Sequence, residues 1–69
     1  MGISYKPLWR QLFEREIKKM EFRDMVEISN GTLARLGKNE PVSIDVIEKI
    51  CMALDCRIED VVEIIKDPQ

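Results

Sequence analysis

Apolar residues recur at intervals of three and four along most of the chain, which is the spacing of helices that are apolar on one side. Charged and polar residues fill the positions between them, so each segment has one face for a core and one face for solvent. The pattern predicts five α-helices. They cover about residues 5–16, 20–26, 30–36, 44–54 and 58–65.

The predicted core consists of the apolar faces of these helices. Trp9 is assigned to the core rather than to an exposed interface, because a large aromatic residue within such a stripe is more often buried. Residues 42–65 are rich in Ile and Val, but strict alternation is absent there, so helices are predicted and strands are rejected. The residues expected to face inward are Leu8, Trp9, Leu12, Phe13, Phe22, Val26, Ile28, Leu33, Leu36, Ile44, Ile47, Ile50, Cys51, Leu54, Ile58, Val61, Val62 and Ile65.

Serines and a glycine mark where the predicted helices begin and end. Ser4, Ser29 and Ser43 precede helical segments and are predicted to be N-caps. Gly37 follows the third helix and is predicted to end it in a left-handed conformation. Residues 66–69 are predicted to be a frayed tail.

The size and composition of the chain favour one small globular domain. With 69 residues, the chain is long enough for one domain only, so residues 1–69 are predicted to form a single unit. Its 45% apolar and 35% charged residues are typical of a soluble protein. Neither a signal peptide nor a membrane-spanning segment is predicted, so a cytoplasmic protein is expected.

Residues that carry chemistry are few. The chain has two cysteines, Cys51 and Cys56, and no histidine, which argues against a structural zinc site with four Cys or His ligands. The spacing of the cysteines permits a disulfide, but free, half-buried thiols are expected in a cytoplasmic chain. Without a histidine as general base, the serines are interpreted as caps and not as nucleophiles. No metal, cofactor or small-molecule ligand is indicated, and an enzyme is not expected.

Charge is distributed unevenly along the chain, whose net charge is −2. Residues 1–38 carry eight Lys or Arg and five Asp or Glu, whereas residues 39–69 carry three and eight. The first half is therefore suited to face an anion, although the same asymmetry fits a head-to-tail contact between proteins. Arg10, Arg15 and Arg23 are interpreted as solubilising or ion-pairing residues.

The most informative segment is KMEFRDMVEISNGTLARLGK, residues 19–38. It contains two short predicted helices joined by about three residues. Helices of this length are not stable alone in water, so they are expected to cross steeply and to enclose Phe22, Val26, Leu33 and Leu36. The outward face of the second helix is then free to enter a DNA major groove.

Residues outside this segment complete a family pattern. They are Tyr5-Lys6-Pro7-Leu8-Trp9 with Leu12, Val42-Ser43, Ile47, Ile50-Cys51, Ala53-Leu54 and Cys56, beside Ile28-Ser29, Thr32-Leu33-Ala34 and Leu36-Gly37-Lys38 within it. Together they make the chain resemble the lambda-repressor/Cro-type helix-turn-helix family, in particular its small stand-alone bacterial or phage transcriptional regulators. The resemblance covers nearly the whole chain. It implies an all-α, compact five-helix lambda-repressor-like DNA-binding domain.

The resemblance also implies which residues contact DNA. Residues 20–26 would form the positioning helix and residues 30–36 the recognition helix. Asparagine pairs with adenine and arginine with guanine in the major groove, while phosphates are held by lysines and by N–H groups at the start of the positioning helix. The residues expected at base edges are Ser29, near the groove wall, with Asn30, Gly31 and Arg35. The residues expected beside phosphates are Lys18, Lys19, Lys38 and Asn39.

Two residues depart from the family pattern. Glu27 stands at the turn where the family usually has glycine. A positive φ there costs about 1 kcal/mol, and the carboxylate would repel a nearby phosphate. Gly31 has no side chain with which to read a base. Both departures weaken the expected affinity or specificity for DNA.

The expected function is sequence-specific binding of double-stranded DNA by a transcriptional regulator of repressor type. A single reading head of this size rarely binds tightly, so a homodimer is expected on a two-fold operator, with half-sites about 34 Å apart or a multiple of that. Ile44, Val62 and Ile65 are candidates for the dimer contact. The alternative is a protein-interaction module of the same fold, antitoxin-like or an accessory regulator, which the net charge, Glu27 and Gly31 favour.

Overall fold

Four α-helices make up most of the fold in the computed structural model, which describes residues 2–66. The four predicted helices between residues 5 and 54 are confirmed, with ends that differ by at most two residues. A 3₁₀ turn and a two-stranded antiparallel sheet complete the fold. In chain order the elements are β1 (Gly2–Ser4), α1 (Lys6–Glu14), α2 (Lys19–Val26), α3 (Asn30–Gly37), α4 (Ile44–Leu54), the 3₁₀ turn Ile58–Asp60 and β2 (Glu63–Ile65).

The predicted fifth helix over residues 58–65 is wrong, and so is the rejection of strands there. Only the 3₁₀ turn Ile58–Asp60 is helical, and Glu63–Ile65 pairs with β1 in a register that places Ile3 opposite Ile64. β-Branched residues favour extended backbone. The pairing joins two distant parts of the chain, so the periodicity within one of them could not reveal it.

The hydrophobic core lies where α1, α2, α4 and the 3₁₀ turn meet. Four predicted core residues are wrong. The side chains of Phe13 and Ile44 are 84% and 68% exposed. Phe13 follows Leu12 by about 100° around the helix, and Leu12 already fills the inward position. Ile58 and Ile65 are also exposed. The buried apolar residues are Tyr5, Leu8, Leu12, Phe22, Val26, Leu36, Ile47, Ile50, Leu54 and Val61.

All four α-helices are followed by a residue with left-handed backbone, and within residues 2–66 none of these residues is glycine. They are Glu16, Glu27, Asn39 and Asp55, with φ between 51° and 61°. In each case the next residue donates its N–H to the carbonyl five residues before it, which is the long bond of a Schellman motif. The four bonds run from Ile17 to Leu12 (2.9 Å), Ile28 to Arg23 (3.2 Å), Glu40 to Arg35 (2.9 Å) and Cys56 to Cys51 (3.0 Å).

The loop after α3 is held against the start of α1 by Tyr5. Asn39 has the positive φ that was predicted for Gly37, so that prediction is wrong. The N–H of Tyr5 donates to Oδ1 of Asn39 at 3.0 Å, and the Tyr5 hydroxyl donates to the carbonyl of Glu40 at 2.8 Å. Because Tyr5 is buried, these bonds tie the segment that carries Lys38 to the core.

Serine side chains cap two helices, as predicted. Oγ of Ser29 accepts the N–H of Thr32 at 3.1 Å, and Oγ of Ser43 accepts the N–H of Val46 at 3.4 Å. Ser4, the third predicted cap, belongs to β1 and is not the N-cap residue of α1.

Cys51 and Cys56 are free, half-buried thiols, as predicted. Of the predicted frayed tail, residues 67–69 lie outside the described residues. Between residues 2 and 66, no helix has the length and apolar character needed to cross a membrane.

Candidate nucleic-acid interface

α2 and α3 are joined by a tight turn of three residues, 27–29. Glu27 has φ 61° and ψ 48°, so it takes the positive φ that is strained for a residue with a Cβ. Its N–H donates to the carbonyl of Arg23 at 2.9 Å, and Ser29 then resumes an extended backbone from which α3 begins. The two helices therefore form a helix-turn-helix.

The predicted apolar cluster supports α3 from the inner side. Phe22, Val26 and Leu36 are buried, and Leu33 packs half-buried against them. The opposite side of α3 is solvent-exposed and is called the recognition face below. Its exposed residues are Asn30, Gly31, Ala34 and Arg35.

Trp9 supports the start of α2. Its ring meets the buried ring of Phe22 edge-on, with centroids 6.3 Å apart and planes at 72°. Nζ of Lys19 lies 5.0 Å from the centroid of the Trp9 ring, within the range of a cation–π contact. Trp9 is half-buried against the core, so it joins the core to the basic start of α2.

Arg35 and Gly31 lie on the recognition face as the sequence predicted. Arg35 is exposed, and its guanidinium makes no hydrogen bond or ion pair within residues 2–66. A Cβ added to Gly31 would come within 4 Å of only Oγ of Ser29, at 3.8 Å, so the surface beside it is open.

Asn30 is exposed at the first position of α3, but its carboxamide already has a partner. Oδ1 accepts a hydrogen bond of 2.6 Å from Nη1 of Arg23. Ser29 lies just before it, with Oγ bonded to the backbone N–H of Thr32 and to Oγ1 of Thr32 at 3.0 Å. Ser29 is thus engaged as a cap, at the edge of the recognition face.

The lysines predicted to contact phosphate lie at helix ends. Lys18 precedes α2, and its N–H donates to Oε1 of Glu21 at 3.2 Å. Lys18 and Lys19 line an open groove of about 530 Å³ together with Gly37, the residue before Lys38. All three lysines are exposed. Because Gly37 brings the end of α3 to the groove that Lys18 and Lys19 line, the three lysines together are called the basic rim below.

Asn39, the fourth residue expected beside phosphate, has a structural role as well. Its Oδ1 accepts the N–H of Tyr5. The side-chain amide nitrogen keeps its two donor hydrogens. Asn39 is exposed, and these donors remain on the surface beside Lys38.

Arg23 is the residue of this region that the sequence interpretation assigned no DNA-related role. The predicted ion pairing is confirmed, since Nη2 of Arg23 lies 3.0 Å from Oδ1 of Asp24. The contact with Asn30 was missed. The signal that could have found it is the spacing. Arg23 lies in the last turn of α2, seven residues before the first residue of α3.

A family model of the Cro/C1-type helix-turn-helix DNA-binding domain matches residues 7–67. The chain belongs to the Cro/C1-type helix-turn-helix family. This Cro/C1-type domain is also similar to a crystal structure of the transcriptional regulator VanUg, with a TM-score of 0.91 and 42% sequence identity. The alignment covers 96% of this chain and 88% of that chain. No curated protein sequence matches the chain.

The family match spans α2, the turn and α3 completely. The two helices described above are therefore the helix-turn-helix of a Cro/C1-type DNA-binding domain. The four α-helices of this domain are accompanied by the β1–β2 sheet, which the expected five-helix arrangement lacked.

Proposed function

We propose that this Cro/C1-type protein is a transcriptional regulator that binds specific sequences of double-stranded DNA and represses by covering a promoter. The observation that carries the proposal is the recognition face, a polar and exposed surface on a helix whose other side is fixed by a buried cluster. A helix presented in this way fits the major groove. The likeness to a transcriptional regulator supports the proposal.

Arg35 is the principal base-reading residue of the proposal. Its exposed guanidinium offers paired donors that match O6 and N7 of guanine. Asn30 reads a second base from the start of α3. Gly31 leaves the surface between them open, so the duplex can approach the backbone closely, with Ser29 at the groove wall.

Phosphate contacts would come from the basic rim. Lys18 and Lys19 lie at the start of α2, where backbone N–H groups also favour an anion. Lys38 and the amide of Asn39 lie at the end of α3. These residues position the recognition face on the duplex and supply most of the salt-dependent affinity.

We further propose that the protein acts as a homodimer. Ile44, Ile64 and Ile65 are exposed apolar residues outside the recognition face. Val62 is half-buried against the core and contributes less to such a contact. Equilibrium sedimentation is expected to give twice the chain mass. A strict monomer at high micromolar concentration, with operator DNA present, would contradict the dimer.

Selection of bound sequences from random duplex DNA tests the DNA-binding function. Purified protein at moderate salt is expected to enrich one short site, or a two-fold repeat of it if the protein is a dimer. Arg35→Ala should fail to enrich the same site. If wild-type protein enriches no sequence, the proposed function is wrong.

A protein-interaction module is the second candidate. It is favoured by the exposed Phe13 in the groove that Trp9, Leu12 and Ile17 also line, and by the net charge of −2. A complex with a protein partner that persists at high salt, together with failure of the DNA selection, would favour this function over DNA binding.

A further inference from the structure

A chain of polar contacts crosses the turn between the two helices of the helix-turn-helix. Nη1 of Arg23 donates to Oδ1 of Asn30 at 2.6 Å. Nε and Nη2 of the same guanidinium donate to Oδ1 of Asp24 at 3.1 and 3.0 Å. The Arg23 side chain is 24% exposed and that of Asp24 is 71% exposed. The guanidinium is thus held by the carboxylate on one side and by the carboxamide on the other.

This contact determines which way the Asn30 carboxamide faces. A guanidinium has hydrogen-bond donors only, so the atom that faces it must be the amide oxygen. The amide nitrogen, with two donor hydrogens, is directed away from Arg23. Since Asp24 accepts from Nε and Nη2, the plane of the guanidinium is fixed and Nη1 remains for Asn30.

We propose that Arg23 is a positioning residue that makes Asn30 a hydrogen-bond donor toward DNA. The inference rests on the proposed function and adds a specificity rule to it. Base acceptors in the major groove are N7 of both purines, O6 of guanine and O4 of thymine, whereas cytosine presents only an amino donor. Asn30 therefore rejects cytosine at the base that it contacts.

The rule differs from the usual pairing of asparagine with adenine. In that pairing the amide oxygen accepts from the adenine N6 amino group while the nitrogen donates to N7. Here the oxygen is engaged in a charge-assisted bond with Arg23. Arg23 takes one of the two lone pairs of this oxygen, so the proposal predicts that the N6 amino group contributes less to recognition by Asn30 than in that pairing, even where the contacted base is adenine.

Base analogues in the selected site test this with wild-type protein. The base contacted by Asn30 is the one at which a 7-deaza purine, which lacks the N7 acceptor, weakens wild-type protein but not Asn30→Ala. We expect a loss of about fivefold or more there. A duplex in which that base is replaced by a purine without the 6-amino group should be bound within about twofold of the natural duplex. The same holds for thymine where the selected site accepts it. A large loss on removing the amino group would overturn the proposal.

Variants of Arg23 test the positioning role. Arg23→Met removes all donors and is expected to reduce the preference against cytosine at the Asn30 position about fivefold, with other positions unchanged. In an Asn30→Ala background the same substitution should change no base preference, because Arg23 acts through Asn30. Arg57→Met, an exposed arginine on the 3₁₀ side of the molecule, is the matched control for charge.

The other outcomes are informative. A uniform loss over all sequences would mean that Arg23 contacts phosphate, and an effect that persists in Asn30→Ala would mean that Arg23 reads a base itself; either overturns the proposal. If Arg23→Met does not fold, the base analogues decide with wild-type protein. Failure of wild-type protein to bind any duplex refutes the proposed function instead, so the two failures are distinguishable.

Discussion

Glu27 is the residue at which fold and function conflict most clearly. Its φ of 61° turns the chain from α2 into α3. This conformation costs a residue with a Cβ about 1 kcal/mol or more, because the Cβ approaches the following carbonyl oxygen. Its carboxylate is exposed in the turn of the helix-turn-helix and would repel a nearby phosphate. Both effects predict that this position is not optimal for stability or for DNA affinity.

Glu27→Gly is expected to raise the free energy of unfolding by up to about 1 kcal/mol, because glycine adopts positive φ without strain. It should also tighten DNA binding, since a negative charge is removed. The matched control is Glu48→Gly, an exposed carboxylate inside α4, which should lower the free energy of unfolding by about 1 kcal/mol. If urea denaturation shows that both variants lose the same free energy of unfolding, Glu27 is not strained.

A buried hydroxyl and a half-buried thiol predict how the free energy of unfolding depends on pH. Burial raises the pKa of the Tyr5 hydroxyl above its usual value of 10.0. Burial, followed by the neighbouring Cys56, raises the pKa of the Cys51 thiol above its usual value of 9.0. The folded protein therefore favours the protonated forms, and the unfolded chain loses these protons first.

The free energy of unfolding should be fully retained below about pH 8 and should fall as the pH rises through these pKa values. Urea denaturation at pH 7, 9 and 10.5 measures it. Tyr5→Phe and Cys51→Ala should each be less stable than wild type at pH 7 but should lose less stability between pH 7 and 10.5. If both variants lose as much as wild type, the decline has another origin.

Residues whose role depends on near neighbours were predictable from the sequence. The caps Ser29 and Ser43 depend on contacts within four positions. The bond between Arg23 and Asn30 depends instead on the angle at which α2 and α3 meet. The seven-residue spacing makes the contact possible but does not give that angle, so Arg23 was interpreted only as a solubilising or ion-pairing residue.

At the scale of the elements, all four helices end in the same way. Each has a Schellman-type bond around a left-handed residue, and in the described chain no glycine occupies that position. Helix ends are usually predicted from glycine. Gly37 was therefore given the role that belongs to Asn39, two residues later. The helices themselves were predictable because periodicity of apolar residues does not depend on how they end.

Substitutions of Ser29, the N-cap of α3, should affect stability and DNA binding separately. Ser29→Ala removes the cap and should lower the free energy of unfolding by about 1 kcal/mol. Ser43→Ala, where the capping bond is longer at 3.4 Å, should cost less. Ser29→Asp keeps a capping oxygen and should retain stability, but its negative charge beside the recognition face should weaken DNA binding.

Thermal denaturation and duplex titration of these three variants provide the comparison. The assignment of Ser29 to both the cap and the groove wall would be contradicted if Ser29→Asp were as unstable as Ser29→Ala. It would equally be contradicted if Ser29→Asp bound DNA as tightly as wild type.

The strand β2 could not be predicted from its own residues. The apolar positions 58, 61, 62 and 65 have helical spacing, yet the backbone of Glu63–Ile65 is extended because Gly2–Ser4 provides its hydrogen-bond partners. Three residues are too few for the alternation of a strand to be visible. Pairing between distant segments overrode the local pattern.

At the scale of the whole molecule, the distribution of charge along the chain favours one DNA-facing surface. The helix-turn-helix lies in the half of the chain that carries the excess of Lys and Arg, while the acidic half supplies α4, the 3₁₀ turn and β2. An overall charge of −2 therefore does not prevent a basic rim beside the recognition face. The exposed polar side chains of α3 and the lysines at its borders are the candidate site that the sequence named, and their contact with DNA stays a prediction.

Titration of the selected duplex with wild type, Arg35→Ala and the matched control Arg57→Ala, between 50 and 200 mM salt, tests the central claim most directly. The binding constant of wild type should fall as salt rises, with a slope of log K against log salt concentration of about −0.9 for each neutralised phosphate. Arg35→Ala should lose about 1–3 kcal/mol of binding free energy on the preferred site, while Arg57→Ala binds like wild type. If Arg35→Ala binds the duplex with wild-type affinity, the claim that α3 reads DNA through its exposed face is contradicted.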